Sequence, residues 1–336
     1  MQVVPTPEEV RKLHDQGMQI MRITMPYALK QMQAMYQRTP DQTHARFAHY
    51  TTAEAALNII RTKRFWLRNT NCMCDYREVQ HGFDIFNQYF LDAPKQKAFV
   101  DAFDACTPGV ANDAFTAFKN RWQDLRFNTY IGCLSEHPES EDLHGRLSMW
   151  RAFGGTGTRV GIVLRVPFVS ISAVPLALIF NPVAYLSAPD AHGVIDQVVT
   201  NVRANLDYLR TLQREVLVQL VFQMFSLGIV GLKHKGFSEE REWRAIYTPK
   251  LWFSPLMEST TEVVAGVPQI VYKVPLDASV SPLIADLDFA QVFDRLIVGP
   301  TPYPWPIYEA FVEALKATGV PNAEERVFVS DIPIRA

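Results

Sequence analysis

The sequence predicts an α+β fold: a central, mostly antiparallel mixed sheet flanked by helices, with a helical extension at the amino terminus. Eight or nine strand-like segments occur with about as many helical ones, without the regular alternation of strand and helix that marks a parallel sheet. A glycine-rich phosphate loop is not evident, because residues 154–158 (GGTGT) contain no lysine and follow a helix. The 336 residues suffice to bury a large core.

Residues 1–40 are predicted to form the helical extension. Thr6, Pro7 and Glu9 fit a capping box with proline at the first helical position. Pro26 should kink or split the helix. Residues 39–41 (TPD) should end it and form the linker to a single domain over residues 46–336. The methionine-rich face of the extension favours packing on the main domain, with binding of a partner or a second copy as the alternative.

The main domain contains strand-like and helical segments in irregular order. Strands are predicted at 46–52, 65–69, 129–136, 158–166, 242–247, 269–276, near 293–298 and within 325–335, with a strand pair or bent strand at 176–186. Helices are predicted at 53–64, 83–126, 146–154, 190–232 and in the segment that ends near residue 320. Thr52 is the expected N-cap of the first of these helices.

Composition excludes several classes of protein. A formal net charge of −2 and a pI near 6.5 give no overall attraction to nucleic acid or anionic membranes. The four cysteines are expected to be reduced thiols, since a C-x-C pair alone matches no metal knuckle. The apolar segment 216–232 is interrupted by polar residues and is short for a membrane span. With no signal peptide evident, we expect a soluble, cytoplasmic protein with no membrane association and no metal.

The segment 235–247 (KGFSEEREWRAIY) places carboxylates at the start of a predicted strand. With a period of two, Glu240, Glu242 and Arg244 share one face with the core-type Ile246. An acid on the face of a core residue is either a salt-bridged strand end or a catalytic carboxylate. We expect Glu242 to be the acid of a site, with Glu240 and Arg241 setting its surroundings.

Four ordered groups of motifs resemble a bacterial family catalogued only as domain of unknown function 2971. They are HYTT (49–52) with FWLRNTNCMCDYREVQHG (65–82), CLSE (133–136) with LSMWRAFGGTGTRVGIVL (147–164), GFSEEREWRAI (236–246), and RLIVGP (295–300) with VFVSDIPIR (327–335). The resemblance covers residues 46–336. Cys74 stands where the family usually has asparagine before Asp75, which leaves open any role for that amide.

More remotely, the order of a strand histidine, a middle aromatic segment and a late strand glutamate is similar to the ADP-ribosyltransferase superfamily. This resemblance implies a split sheet and NAD as the substrate. It implies that His49 orients a ribose, with Tyr50 and Thr51 beside it, that Trp150 or Tyr50 stacks on the nicotinamide, and that Ser135 bonds the carboxamide. Glu242 would stabilise the oxocarbenium-like charge that develops when the nicotinamide–ribose bond breaks.

The same resemblance gives roles to the neighbouring charged residues. Arg244 and Arg151 would bind the pyrophosphate through their guanidinium groups. Asp75 and Glu78 would form a wall of the site or contact the acceptor, which is an unknown protein or nucleic acid, or water. Glu240 would lie beside the catalytic acid. The setting implied is bacterial conflict, such as toxin activity or phage defence.

Two other functions remain open from the sequence. A non-catalytic module that senses a nucleotide or nucleic-acid end would hold Glu242 in an arginine pair, so that its removal would harm folding more than turnover. A metal-dependent, nuclease-like hydrolase would need Asp75, Glu78 and Glu240 or Glu242 to converge on a divalent ion. Structural roles are equally open for the aromatic residues, since Trp150 and Trp243 are typical of a core.

Overall fold

The computed structural model describes residues 7–40, 42–73, 78–153, 157–168 and 170–333. Within these ranges the helices are α1 (Pro7–Thr24), α2 (Pro26–Arg38), α3 (Ala53–Thr62), α4 (Glu78–Leu91), α5 (Ala93–Asp104), α6 (Val110–Phe127), α7 (Leu147–Ala152), α8 (Ala188–Ala204), α9 (Leu206–Leu209), α10 (Arg214–Val230), α11 (Phe289–Val292) and α12 (Pro304–Ala317). No helix of this described portion has both the length and the apolar character to cross a membrane.

The strands are β1 (His44–Thr52), β2 (Arg64–Asn69), β3 (Tyr130–Glu136), β4 (Arg159–Pro167), β5 (Ile179–Pro182), β6 (Ala184–Tyr185), β7 (Leu232–Lys233), β8 (Glu242–Tyr247), β9 (Glu258–Val264), β10 (Val267–Pro275), β11 (Phe293–Val298) and β12 (Val327–Val329). The main sheet has the order β12-β11-β4-β1-β3-β2-β10-β9, and β8 and β5 branch from β3. Its pairs are antiparallel except β11 with β12. The predicted α+β fold with a central, mostly antiparallel sheet is therefore confirmed.

The sheet is split along β3. On one edge, β3 pairs with β8 from Tyr130 to Ser135. On the other edge, Ser135 pairs with Ala48 of β1, whereas Ile131 pairs with Arg68 of β2. The two neighbouring strands therefore diverge at the middle of β3. Helix α3 connects them, and the Thr52 hydroxyl accepts a hydrogen bond from the amide of Ala55, as expected for its N-cap.

Gly132 lies at the point where the sheet splits. A Cβ atom at this position would collide with the ring of Phe65 and a methyl group of Leu67. The missing side chain lets these two residues of β2 cover the middle of β3.

Two apolar clusters cover the two faces of the sheet. On one face, Phe47 and Trp243 pack with α3 and α12. On the other, Ile131 and Ile246 pack with an aromatic cluster from α5, α6 and α10, which includes Phe225. This division follows from the alternation of side chains along each strand.

Helices α1 and α2 pack on the sheet and the helices that follow them. Ile23 of α1 is buried in the cluster with α10, and Met35 of α2 is buried in the cluster with β1. The prediction that Pro26 divides the extension is confirmed, because α2 begins at this residue. Thr6, which was predicted to cap α1, lies outside the described residues.

Strand β9 was not expected from the sequence. Its residues are mostly exposed and polar (ESTTEVV), so the apolar alternation that marks a half-buried strand is absent. It pairs with β10 through a two-residue turn in which Ala265 and Gly266 both have positive φ angles, 52° and 79°. This geometry is that of a tight hairpin and explains the glycine.

Candidate active site

The pairing of β3 with β1 and β8 brings predicted site residues onto one face of the sheet. Ala48 pairs with Ser135, and Ser135 pairs with Glu242. Directly paired residues on neighbouring strands point to the same face. Ser135 and Glu242 are both buried, with 2% and 5% of their surface exposed.

Glu242 belongs to a group of five charged residues, which we call the ionic cluster: Glu78, Lys233, Glu240, Glu242 and Arg244. Arg244 is its most buried member, with 1% of its surface exposed. Its Nε donates to Glu242 Oε1 at 2.7 Å, its Nη1 donates to the carbonyl of Val230 at 2.6 Å, and its Nη2 donates to Glu78. The guanidinium thereby connects β8 to α4 and to the end of α10.

Lys233 lies at the centre of the three carboxylates. Its Nζ is 2.7 Å from Glu240 Oε2, 2.9 Å from Glu78 Oε1 and 3.2 Å from Glu242 Oε2. The carboxylates raise the pKa of Lys233 above its ordinary value although burial opposes this. Three carboxylates against two cations leave one net negative charge when all five groups are ionised.

The two glutamates of β8 and its preceding turn have opposite pKa shifts. Burial would raise the pKa of Glu242, but the charges of Arg244 and Lys233 outweigh burial and lower it to about 2. Burial raises the pKa of Glu240. The charge of Lys233 lowers this pKa, but only in part, and the neighbouring carboxylates raise it further. Glu242 is therefore a carboxylate at neutral pH, and Glu240 takes up a proton more readily than Glu242.

His49 lies on the opposite side of β3 from Glu242. Its ring Nδ1 is 2.9 Å from the carbonyl oxygen of Cys133, and its ring packs edge-on against Phe65. Burial lowers the pKa of His49, so the neutral ring donates Nδ1–H to the carbonyl. The thiol of Cys133 hydrogen-bonds Glu242 on the other face, and burial raises its pKa well above the ordinary value.

Arg146 joins the end of β3 to the turn before β8. It donates to Ser135 Oγ at 2.6 Å and to the carbonyls of Glu239 and Glu240 at 3.0 and 3.1 Å. It also makes a two-bond pair with Glu141, at 2.9 and 3.0 Å. The Ser135 hydroxyl donates to the Glu240 carbonyl. This network fixes the backbone position of Glu240 relative to β3.

The aromatic residues predicted to stack on a ligand pack on each other. Tyr50 and Trp150 are in edge-to-face contact with their ring centroids 4.8 Å apart. Trp150 is fully buried and donates Nε1–H to the carbonyl of His144 at 2.7 Å. The Tyr50 hydroxyl accepts from the amide of Arg146 at 2.9 Å, and burial raises its pKa to about 12. In this conformation neither ring has an open face.

Thr51 and Arg151, two further predicted site residues, are not members of the ionic cluster. Thr51 is half-buried near the end of β1, and Arg151 is exposed on α7. Asp75, like Cys74, lies outside the described residues.

The described residues contain no group of three or more histidine, cysteine, aspartate or glutamate side chains arranged to hold a metal ion. Glu78, Glu240 and Glu242 do converge, but they do so on the ammonium group of Lys233.

Sequence reasoning did not single out Lys233, Arg146 or the role of Cys133. Lys233 had one signal in the sequence, because it is the first charged residue after the apolar segment 216–232. Arg146 and Cys133 had none, because their partners come from distant parts of the chain.

Comparison with known proteins places part of this site in a family. The family model "Protein of unknown function (DUF2971)" matches residues 149–245, a segment that includes Trp150, Lys233, Glu240, Glu242 and Arg244. No curated protein and no solved structure gives a significant match to the chain. The family resemblance predicted from the motifs is therefore confirmed over residues 149–245, where the chain matches the model of this family.

Proposed function

We propose that this protein is an ADP-ribosyltransferase-like enzyme that cleaves NAD at the nicotinamide–ribose bond. The observation that carries the proposal is the arrangement around the split in the sheet. Cys133 of β3 bonds His49 through its carbonyl and Glu242 through its thiol. The predicted ribose-binding histidine and the predicted catalytic acid therefore both contact one residue, from opposite faces of the sheet, at the position where β1 and β2 diverge.

The opposite pKa shifts of Glu240 and Glu242 suit this chemistry. As the bond between nicotinamide and ribose C1′ breaks, its electron pair leaves with neutral nicotinamide and positive charge develops on the ribose. A carboxylate that stays ionised, as Glu242 does, stabilises that charge. The acceptor hydroxyl or amine, or water, then bonds to C1′ and loses a proton. Glu240, with its raised pKa, is the group proposed to take this proton.

A second candidate is a non-catalytic module that senses NAD or a related nucleotide. One observation favours it: both oxygens of Glu242 are already bonded, Oε1 by Arg244 at 2.7 Å and Oε2 by Lys233 at 3.2 Å. A carboxylate held this way contacts a ribose only if the ionic cluster rearranges. The metal-dependent hydrolase has less support, because an ammonium group among the three carboxylates repels a divalent cation.

The test is nicotinamide release from NAD by the purified protein, with protein lysate, nucleic acid or buffer alone as the source of acceptor. The variants are Glu242→Gln and Glu240→Gln, with Glu239→Gln as the matched control because Glu239 is exposed in the same turn. We expect release by wild type and by Glu239→Gln, and loss of at least 100-fold in Glu242→Gln that remains folded (about 2.7 kcal/mol of transition-state stabilisation).

The two candidates give different results in a binding measurement. If NAD raises the melting temperature of the wild-type protein without any nicotinamide release, the sensing module replaces the enzyme. If NAD neither raises the melting temperature nor is cleaved, the NAD-cleaving enzyme is wrong, and the sensing module remains only for a nucleotide other than NAD.

A further inference from the structure

A large apolar cavity lies between the sheet and two segments that cover it. Its volume is about 590 Å³, and we call it the apolar cavity. The floor is the face of the sheet that carries Phe47 and Trp243, and helix α2 and the segment 170–178 contribute to the walls. Val174 of that segment is 82% exposed, whereas Phe47 and Trp243 are 1% and 4% exposed. The apolar cavity therefore extends from the surface to the core.

Two of the three lining residues with a polar side-chain nitrogen or oxygen hydrogen-bond within the protein. The Ser170 hydroxyl donates to Asp286 at 2.8 Å and accepts from the amide of Ser172 at 3.1 Å. The indole nitrogen of Trp243 donates to Glu136 at 3.0 Å. Neither group is left to orient a ligand in the apolar cavity.

The third such residue is Arg165. The register of β1 with β4 pairs it with Arg46, on the face of the sheet opposite Phe47 and Leu164. It also interacts with another group of the protein. Among the described lining residues, every polar side chain therefore already has a partner. A charged or strongly polar molecule would lose its hydration in the apolar cavity without gaining a side-chain partner, which is costly.

Polar contacts outside the apolar cavity hold its outer wall in place. Asp286 accepts from the amide of Ile171 at 3.0 Å and from the hydroxyl of Ser172. The Ser254 hydroxyl donates to the carbonyl of Pro175 at 2.6 Å. These bonds fix the backbone of the segment 170–178, so the wall is formed before a ligand arrives, as is usual for small-molecule sites.

The size of the apolar cavity sets the size of its ligand. Protein interiors are normally packed without large voids, and atoms that face a void lose contacts with partner atoms. Small-molecule sites occupy about 300–1,000 Å³, and a dry apolar cavity of about 150 Å³ binds benzene. The apolar cavity is roughly four times larger than that, which gives room for about twenty carbon atoms.

We propose that the apolar cavity is a binding site for an uncharged, hydrocarbon-like small molecule of about twenty carbon atoms. Burial of apolar surface against the floor and the fixed wall supplies the affinity, and shape supplies the selectivity. The proposal does not depend on NAD cleavage, because Trp243 and the apolar cavity lie on the opposite face of β8 from Glu242.

The experiment titrates the full-length protein with diphenylhexatriene, an uncharged polyene that fluoresces strongly in apolar surroundings. cis-Parinarate, a polyene that carries a carboxylate, tests the effect of charge. We expect saturable binding of diphenylhexatriene, and binding of cis-parinarate that is weaker by at least about tenfold, because its carboxylate finds no unengaged cation in the described lining. Equal or tighter binding of cis-parinarate would contradict an uncharged ligand.

A variant that fills the apolar cavity tests where diphenylhexatriene binds. Ala173 belongs to the wall, and Ala173→Phe should weaken binding at least about tenfold by occupying the space. The matched control is Ala93→Phe, which adds an exposed phenylalanine at the start of α5 and should leave binding unchanged. Equal effects of the two variants would place the bound molecule elsewhere and overturn the proposal.

Contact with the floor gives a second test, which stands if Ala173→Phe does not fold. Bromonaphthalene is uncharged, and its heavy atom quenches tryptophan fluorescence on contact. We expect saturable quenching in wild type that Trp243→Phe removes for the most part and that Trp305→Phe, at an exposed tryptophan, retains. The proposal is wrong if wild type binds no diphenylhexatriene, or if Trp243→Phe keeps the quenching.

Discussion

Cys133 connects His49 to Glu242 across the sheet. Its carbonyl accepts Nδ1–H of His49 at 2.9 Å, and its thiol bonds the Glu242 carboxylate on the opposite face. The carbonyl lies where β3 has left β2 and has not yet paired with β1. A histidine side chain thereby supplies a hydrogen bond that a continuous sheet would supply from its backbone.

Replacing His49 therefore has a structural cost as well as any functional one. His49→Leu leaves the buried Cys133 carbonyl without its donor, and we expect a loss of about 1–3 kcal/mol in the free energy of unfolding. His49→Gln, whose amide is able to donate, should lose less. Urea unfolding measures both. Equal losses in the two variants would show that packing against Phe65, rather than the hydrogen bond, determines the effect.

The ionic cluster predicts a large, non-additive effect at Arg244. Arg244→Met leaves Glu242 and Glu78 buried with Lys233 as their one cation in the cluster, and we expect a loss of about 3–5 kcal/mol. Adding Glu242→Gln removes one unpaired charge, so the double variant should lose less than the sum of the single variants. Arg151→Met, at an exposed arginine, is the control and should stay within about 0.5 kcal/mol of wild type. Simple additivity would show that the two residues are not energetically coupled.

The strand framework could be predicted from the sequence, whereas the connections of the site could not. Strands β1, β3, β4 and β8 carry strong apolar or β-branched patterns, and the period of two placed Glu240, Glu242 and Arg244 on one face. Local pattern does not reveal which distant residue meets that face. Lys233 reaches it from β7, and Glu78 from α4.

The face of the sheet on which His49 lies was not predicted from the sequence. The alternation along β1 puts His49 on the face of Phe47, opposite Ala48 and Tyr50. The motif order assigns neighbours such as His49 and Tyr50 to one site, without regard to the alternation of side chains along a strand. The structure separates their side chains to the two faces of the sheet.

Acid should destabilise the protein through Glu242. Its pKa is about 2 in the folded protein and near 4.5 when unperturbed. The stabilisation from this lowered pKa is complete above pH 4.5 and is lost as the pH falls from there toward 2, because the unfolded chain binds the proton first. The loss should amount to about 3 kcal/mol. Stability measured between pH 5 and 2.5 should fall less steeply in Glu242→Gln than in Glu239→Gln, and equal slopes would contradict this origin.

Two glycines should respond to alanine in opposite directions. At Gly132, a Cβ meets the Phe65 ring and Leu67, so Gly132→Ala should overpack the split and lose about 1–3 kcal/mol. At Gly193, inside α8, a Cβ has nothing within 4 Å. There the gain in helix propensity should stabilise the protein by up to about 1 kcal/mol.

Thermal and urea unfolding of the two alanine variants side by side measure this difference. If Gly132→Ala proves neutral, Phe65 and Leu67 move without loss and the middle of β3 is less tightly covered than its contacts indicate.

The same variant reports on the proposed function, because Gly132 directly precedes Cys133. If Gly132→Ala stays folded and keeps its ionic cluster but releases less nicotinamide, the reaction takes place at the split. The substitution lies on the face opposite Glu242, so a direct effect on the ionic cluster does not account for such a loss.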